Sequence, residues 1–389
     1  MNEKNMKIGI ITYHEPLSYG AHLQCLGLQI YLEEIGCMPE IIDYSNSAYM
    51  ELRSTNKIKS LVKRTLKILK NPKGFFKAKR NAKNIEKEKE KYRNLLDERN
   101  ERFKIFEKKY YKLSQKRYEK YSELKNDCPN YDAYICGSDQ IWNPSFCDMD
   151  DNYFLTFAPE NKRIAYAPSF GVSKIPFYAR NEYIKRLKGI YKLSIREKTG
   201  ANIIKKLINK DVPVVIDPTF LVNKEKWLSI AEDSDVILSS EYIITYFIGI
   251  DDYINKYIKE VKEKFPNYEV INLIFDKTKY GPCDFIKIIS KAKFVFTNSF
   301  HGLAFAINLN VPFAVGKTLK DFGSNSGFSR IEDLLESLGL SDRIYFGNNE
   351  LNEEWLQLDY SKINQKKEQI VEKSKKYLIE ALKDIKEKN

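Results

Sequence analysis

Residues 6–12 read MKIGIIT. Apolar and β-branched side chains run through them almost without interruption, the pattern of a strand buried on both faces of a parallel sheet. A polar loop with Pro16, Ser18 and Gly20 follows, and then Cys25, Leu28, Leu32 and Ile35 recur at near-helical spacing. Gly36 stands where glycine commonly ends a helix by taking the left-handed conformation. Glu40 to Asp43 (EIID) is a second short strand. Strand, loop, helix, strand is the opening of a Rossmann-like βαβ unit.

The same rhythm returns after a break. Strands are expected at Tyr131–Cys136, Arg163–Ala167, Lys192–Arg196, Val214–Asp217, Tyr242–Phe247, Glu269–Ile274, Lys293–Thr297 and Val311–Val315, with helical patterns between most of them. Lys362 to Lys388 reads as a long terminal helix. This predicts an α/β protein of two Rossmann-like halves facing across a cleft, residues 1–195 and 196–345, with a hinge near Arg196 to Pro213. Residues 346–389 form a tail and helix that pack back on the body. At 389 residues, two units are the natural expectation.

The break is residues 53–126. It holds 26 Lys and Arg against 9 Asp and Glu, a net +17 inside a chain of net +12, so the remainder carries −5. We expect a basic helical insertion in the first half, nearly free of strands. Ile58, Leu61, Val62, Leu66 and Leu69 line one helical face with lysines around them. That suits either docking on the protein or peripheral contact of residues 57–70 with an anionic membrane. Hydrophobic residues at 43% can build real cores. No run approaches the roughly 20 apolar residues that cross a bilayer, and no secretory signal is visible. The six cysteines include no C-x-x-C pair and there are only three histidines, which argues against a zinc site or a disulfide framework and suits a reducing cytoplasm. No metal is expected.

Chemistry concentrates at strand ends, where ligands bind in open α/β sheets. In FVFTNSFHGLAFA (294–306) a strand ends at Thr297, Asn298-Ser299 opens a helix, and His301 sits in its first turn. A helix N-terminus suits phosphate or carboxylate, but contributes only ~0.3–1 kcal/mol at a surface. Micromolar binding needs about 8 kcal/mol, so charged side chains must supply most of it. The same segment can equally be a capped helix with a packed histidine. Arg196 ends a strand at the hinge, and its planar fork matches a carboxylate or phosphate. Its structural alternative is a salt bridge to Glu197. Ser138, Asp139, Gln140 and Trp142, with Asn143, follow another strand. They can grip sugar hydroxyls and stack on a sugar face, or form a turn over a buried tryptophan. Tyr13, His14, Tyr19 and Gly20 lie at the mouth of strand one, and Ser169 lies in a further strand-end turn. Asp217-Pro218-Thr219 is read as packing, without chemistry. No G-x-G-x-x-G fingerprint supports a dinucleotide.

Taken in order, ITYHEPLSYGAHLQ (11–24), ICGSDQIWNPSF (135–146), RIAYAPSFG (163–171), LSIRE (193–197), VIDPTFL (215–221) and TNSFHGLAFA (297–306) resemble the polysaccharide pyruvyltransferase family. The resemblance spans most of the chain outside the basic insertion. It implies a GT-B-like arrangement with the site between the halves. It further implies phosphoenolpyruvate as donor substrate, no cofactor, and a hexose of a cell-surface polysaccharide or its lipid-linked precursor as acceptor. By the same resemblance, His301 is the catalytic acid and Arg196 the anion-binding arginine. Many relatives carry a basic residue where this chain has Ser299. The implied donor contacts are Arg196, Asn298, Ser299 and the helix N-terminus, with Asp139 as base on the acceptor side.

Two other readings remain at this stage. A GT-B glycosyltransferase using a nucleotide sugar shares the architecture. A nucleic-acid binder can use the basic segment, where Tyr92, Phe103, Phe106, Tyr110 and Tyr111 offer rings for base stacking. No recognised nucleic-acid module accompanies them, so no nucleic-acid partner is expected.

Overall fold

The computed structural model describes residues 5–45, 90, 92–145, 150–238, 241–249, 252–273, 278–318, 321, 327–347 and 350–388. The candidate membrane-contact residues 57–70 lie outside them. Among the described residues, no helix is long and apolar enough to cross a membrane.

In the first half, β1 (Lys7–Ile11), β2 (Met38–Tyr44), β3 (Leu113–Tyr118), β4 (Ala133–Cys136), β5 (Arg163–Ala165) and β6 (Lys192–Leu193) form one parallel sheet. Its order, β3-β2-β1-β4-β5-β6, is that of the Rossmann fold. Ile8, Ile10 and Ile11 are fully buried, as a central parallel strand requires. Helix α1 (Tyr19–Glu34) is buried almost all round. Ser18 caps its start, and Gly36 at φ 88° follows its end.

The basic segment corrects the expectation of a helical insertion nearly free of strands. Its described part contains helix α2 (Arg93–Tyr110) and then β3, the polar edge strand LSQKRY. Charged residues suit an edge, which must not pair with other chains. Phe103, Phe106 and Tyr111 are buried rather than displayed, which removes them from any base-stacking surface. Arg102 reaches the second half, where it meets Asp235 at 2.7 Å and Asp284 at 3.2 Å.

Helices α3 (Arg180–Lys188), α4 (Lys198–Ile208) and α5 (Lys224–Ala231) lead to the second sheet. There β7 (Tyr242–Tyr246), β8 (Glu269–Asn272), β9 (Phe294–Thr297), β10 (Phe313–Gly316) and β11 (Ile344–Tyr345) alternate with α6 (Asp252–Lys264), α7 (Pro282–Lys291), α8 (Phe300–Asn308) and α9 (Ser329–Leu338). All pairs are parallel, in the order β8-β7-β9-β10-β11, which is the flavodoxin-like 2-1-3-4-5 pattern. The expected strand at Val214–Asp217 is a single bridge, Val214 to Ile195, because the chain there crosses between sheets. Finally α10 (Tyr360–Lys386) returns across the molecule. Tyr360 donates to the Val311 carbonyl at 2.6 Å and Tyr377 to the Ala165 carbonyl at 3.1 Å, one in each half.

Candidate functional site

Strand order decides where a ligand crevice can open. Parallel α/β sheets bind ligands beyond the carboxyl ends of the two strands at which the winding reverses. In the first sheet those strands are β1 and β4, and in the second β7 and β9. The residues that follow β4 are Gly137, Ser138 and Asp139, and those that follow β9 are Asn298 to His301. The fold brings these two ends together.

Asp217 is the link. It is fully buried, and its Oδ1 accepts from the Thr219 amide at 3.1 Å and the Thr219 hydroxyl at 2.9 Å. Its Oδ2 accepts from Arg196 Nη1 at 2.6 Å and Ser138 Oγ at 3.0 Å. His301 Nε2 lies 3.7 Å from the same oxygen, an ion-pair distance too long for a hydrogen bond. Burial alone raises a carboxyl, but His301 and Arg196 override it and hold Asp217 well below the usual range. Asp217, read from sequence as packing only, is therefore central to the cluster. The local signal, Asp before Pro-Thr, reported its capping role and nothing more.

Arg196 is buried and largely spoken for. Besides Asp217 it meets Asp139 Oδ1 at 3.4 Å, and its guanidinium carbon lies 4.3 Å from the centre of the Phe300 ring. The salt bridge that the structural alternative names is present, but its acids are Asp217 and Asp139 rather than Glu197. Glu197 instead accepts from Ser169 Oγ at 3.0 Å and the Phe170 amide at 3.1 Å. Burial raises the Glu197 carboxyl, against the pull of Arg196 and Arg330. Among the described residues its second oxygen is buried without a hydrogen-bond partner, as is Arg196 Nε.

His301 sits at the seam. Its Nε2 is buried without a hydrogen-bond partner among the described residues. The ring presses against α1 of the first half: a Cβ on Gly20 would stand 1.9 Å from Nδ1. Glycine is required there by close approach rather than by backbone angle. Gly137 is required on both counts, with φ 116° and a virtual Cβ 2.1 Å from the Tyr166 carbonyl.

The other candidates divide. Asp139 keeps a partly exposed carboxylate at the cluster's edge. Tyr13 and Gln140 are half-buried beside it, with the Gln140 side chain accepting from Asn143 at 2.8 Å. Ser299 caps α8, accepting from the Gly302 amide at 3.3 Å. Asn298 clasps the backbone of Ile248, accepting from its amide at 2.7 Å and donating to its carbonyl at 3.1 Å, which ties the β7 and β9 ends together.

Several expected contacts are corrected. Trp142 is fully buried, stacked on Phe154 at 5.0 Å and donating to the Tyr153 carbonyl, so it offers no face to a sugar. Tyr19 is also fully buried. It stacks on Phe285 at 4.5 Å and donates to the Tyr280 carbonyl at 3.0 Å, joining the halves instead of meeting ligand. Ser138 and Ser169 are fully buried with their hydroxyls committed as described. A separate group, His14, Glu15 and Asp43, places possible ligand atoms within 4.8 Å of one another. Arg117 already bridges Glu15 and Asp43, so a cationic side chain occupies the role a metal ion would take.

Fold and cluster together define a two-sheet α/β protein with a charged cluster between its halves. Within that class the chain belongs to the polysaccharide pyruvyl transferase family, whose model matches residues 19–315. It is accordingly a transferase of polysaccharide biosynthesis with a glycan acceptor. No curated protein matches the chain. Among solved structures it is similar to a UDP-GlcNAc 2-epimerase of Methanocaldococcus jannaschii, 15% identical over 90% of this chain and 91% of that one, TM-score 0.47. It is also similar to the E. coli ADP-heptose lps heptosyltransferase II, 11% identical over 95% and 99%, TM-score 0.33.

Proposed function

We propose that the protein transfers the pyruvyl unit of phosphoenolpyruvate onto two hydroxyls of a hexose in a cell-surface glycan or its lipid-linked precursor, releasing phosphate and leaving a pyruvate ketal. Phosphoenolpyruvate enters as donor substrate, and no resident cofactor is part of the proposal. The observation that carries it is the unpartnered, buried Nε2 of His301 at the seam, 3.7 Å from the carboxylate that also binds Arg196.

In this reading His301 Nε2 gives its proton to the methylene carbon of the donor, which becomes a methyl group. The central carbon becomes electrophilic, and an acceptor hydroxyl attacks it while Asp139 takes the hydroxyl proton. The carbon–oxygen bond to phosphate then breaks, and phosphate leaves with the proton held by Asp139. The second hydroxyl, already tethered, closes the ketal and returns its proton to His301. Tethering makes that closure effectively unimolecular. Positioned proton transfer contributes typically ~10²–10⁴-fold.

Purified protein incubated with phosphoenolpyruvate and a panel of hexosides should release phosphate and yield a product with the mass of a pyruvate ketal. Phosphate release absent with every hexoside and lipid-linked glycan, or nucleotide release from a sugar nucleotide instead, would refute the proposal.

A further inference from the structure

If the donor is a small polyanion, the cluster as described lacks a cation free to hold it. Arg196 is matched by Asp217 at 2.6 Å and Asp139 at 3.4 Å, and Glu197 lies alongside. Both Nη nitrogens of that guanidinium already meet protein carboxylates, and a buried charge so paired is costly to detach. A second cation is needed, and it must reach the same place from another element.

Arg330, on the first turn of α9, does so. Its guanidinium carbon lies 5.7 Å from the centre of the Phe300 ring, which Arg196 also covers. Phe300 directly precedes His301, so both guanidinium groups border the imidazole's own turn. Arg330 Nε donates to the Gly327 carbonyl at 3.0 Å, which fixes the plane of the fork. Among the described residues, Nη1 and Nη2 have no hydrogen-bond acceptor. Burial, and then the like charge of Arg196, pull this guanidinium down to about 10, so it is still charged at neutral pH. Asp139, Glu197 and Asp217 face it more weakly.

Helix α9 is also anchored on α4, the helix that follows β6. The Lys198 amide donates to Asp333 at 2.8 Å and Lys198 Nζ meets Glu336 at 2.6 Å. The start of α9 lies against the Ala167–Gly171 turn, where a Cβ on Gly327 would be 3.6 Å from the Gly171 carbonyl. The start of α9, and Arg330 with it, is therefore held against α4 and the Ala167–Gly171 turn, with the ring of Phe300, the neighbour of His301, beneath the guanidinium.

We propose that Arg330 is the residue that holds an anionic group of the donor through Nη1 and Nη2, with Arg196 orienting Asp217 and Asp139. The inference rests on the phosphoenolpyruvate reading. Its two anionic groups, phosphate and carboxylate, offer the same paired oxygens, and a fork binds either bidentately.

The test measures phosphoenolpyruvate binding by calorimetry, and competition by inorganic phosphate, for the full-length protein and its Arg330→Gln and Arg330→Lys variants. Arg330→Gln should weaken phosphoenolpyruvate binding roughly 10- to 100-fold, the range for losing the equivalent of one charge-assisted hydrogen bond. KM should rise more than kcat falls. Arg330→Lys, which keeps the charge without the fork, should retain part of the affinity, and it carries the test should the glutamine variant fold poorly. Phosphate competition that weakens in step assigns the phosphate group to Arg330, and unchanged phosphate competition assigns the carboxylate. Wild-type affinity in folded Arg330→Gln or Arg330→Lys overturns the assignment while leaving the donor intact. Failure of the wild-type protein to bind phosphoenolpyruvate overturns the donor reading and this assignment with it.

Discussion

Gly20→Ala tests whether the contact between the halves places the imidazole. The new methyl group would lie 1.9 Å from His301 Nδ1 and 2.4 and 2.6 Å from two ring carbons. Ordinary contact starts near 3.4 Å, so the ring or the helix must yield by about 1.5 Å. A misplacement of about 1 Å can cost ~10²-fold in rate. We expect kcat/KM to fall by at least ~100-fold, or about 2.7 kcal/mol of transition-state stabilisation. Overpacking should also cost roughly 1–3 kcal/mol of stability, offset by up to about 1 kcal/mol because alanine restricts the unfolded chain. A double-mutant cycle separates these effects. With His301→Ala in place the methyl has room, so Gly20→Ala should cost no further activity and should raise stability by about 0.4–1 kcal/mol. Phosphate release from phosphoenolpyruvate with acceptor reads the activity, and urea unfolding reads the stability. Wild-type turnover in Gly20→Ala, or full additivity in the cycle, would refute the reasoning.

Asp217→Asn removes the charge that matches buried Arg196, and breaking such a pair typically costs about 3–5 kcal/mol. The urea midpoint should drop accordingly, and an unchanged midpoint would mean that Arg196 finds another partner. Trp142→Ala should lose about 3–5 kcal/mol of stability through the cavity it leaves against Phe154 and Phe170, with little change in acceptor KM when assayed well below the melting temperature. Asp150, buried beneath Tyr44, has its carboxyl pushed up to about 6 by burial. A raised carboxyl contributes stability that is fully present below its unfolded value of about 4 and is lost as pH rises through 6. The difference is up to about 3 kcal/mol. Asp150→Asn should therefore gain on the wild type between pH 4 and pH 7, and a pH-independent difference would show that Asp150 does not titrate there.

The sequence showed what local patterns encode. Strands β1, β4, β7 and β9 are buried on both faces, and their near-continuous apolar runs announce them. Strand β3 is not legible, because an edge strand reads LSQKRY, where solvent and the demands of an unpaired edge set the composition. The direction of Trp142 is not legible either, because a turn after a strand can show a ring outward or inward with the same letters. Here Phe154 and Phe170 take it inward.

The site itself was half legible, for a reason that concerns direction more than composition. His301 and Arg196 stand at strand ends, and strand ends are readable. Their partners are not, since those depend on which elements meet across the seam. Glu197 stands as the N-cap of α4 in extended backbone, and its carboxylate turns to Ser169 and the Phe170 amide. Its hydrogen bonds are thereby committed away from Arg196. A buried guanidinium needs a carboxylate, so the acid had to come from a different segment. Of Asp217's two oxygens, one satisfies the local turn that VIDPTF spells out, and the other meets Arg196, Ser138 and His301 from three separate elements. The turn signal was complete on its own terms, and for that reason it concealed the second oxygen.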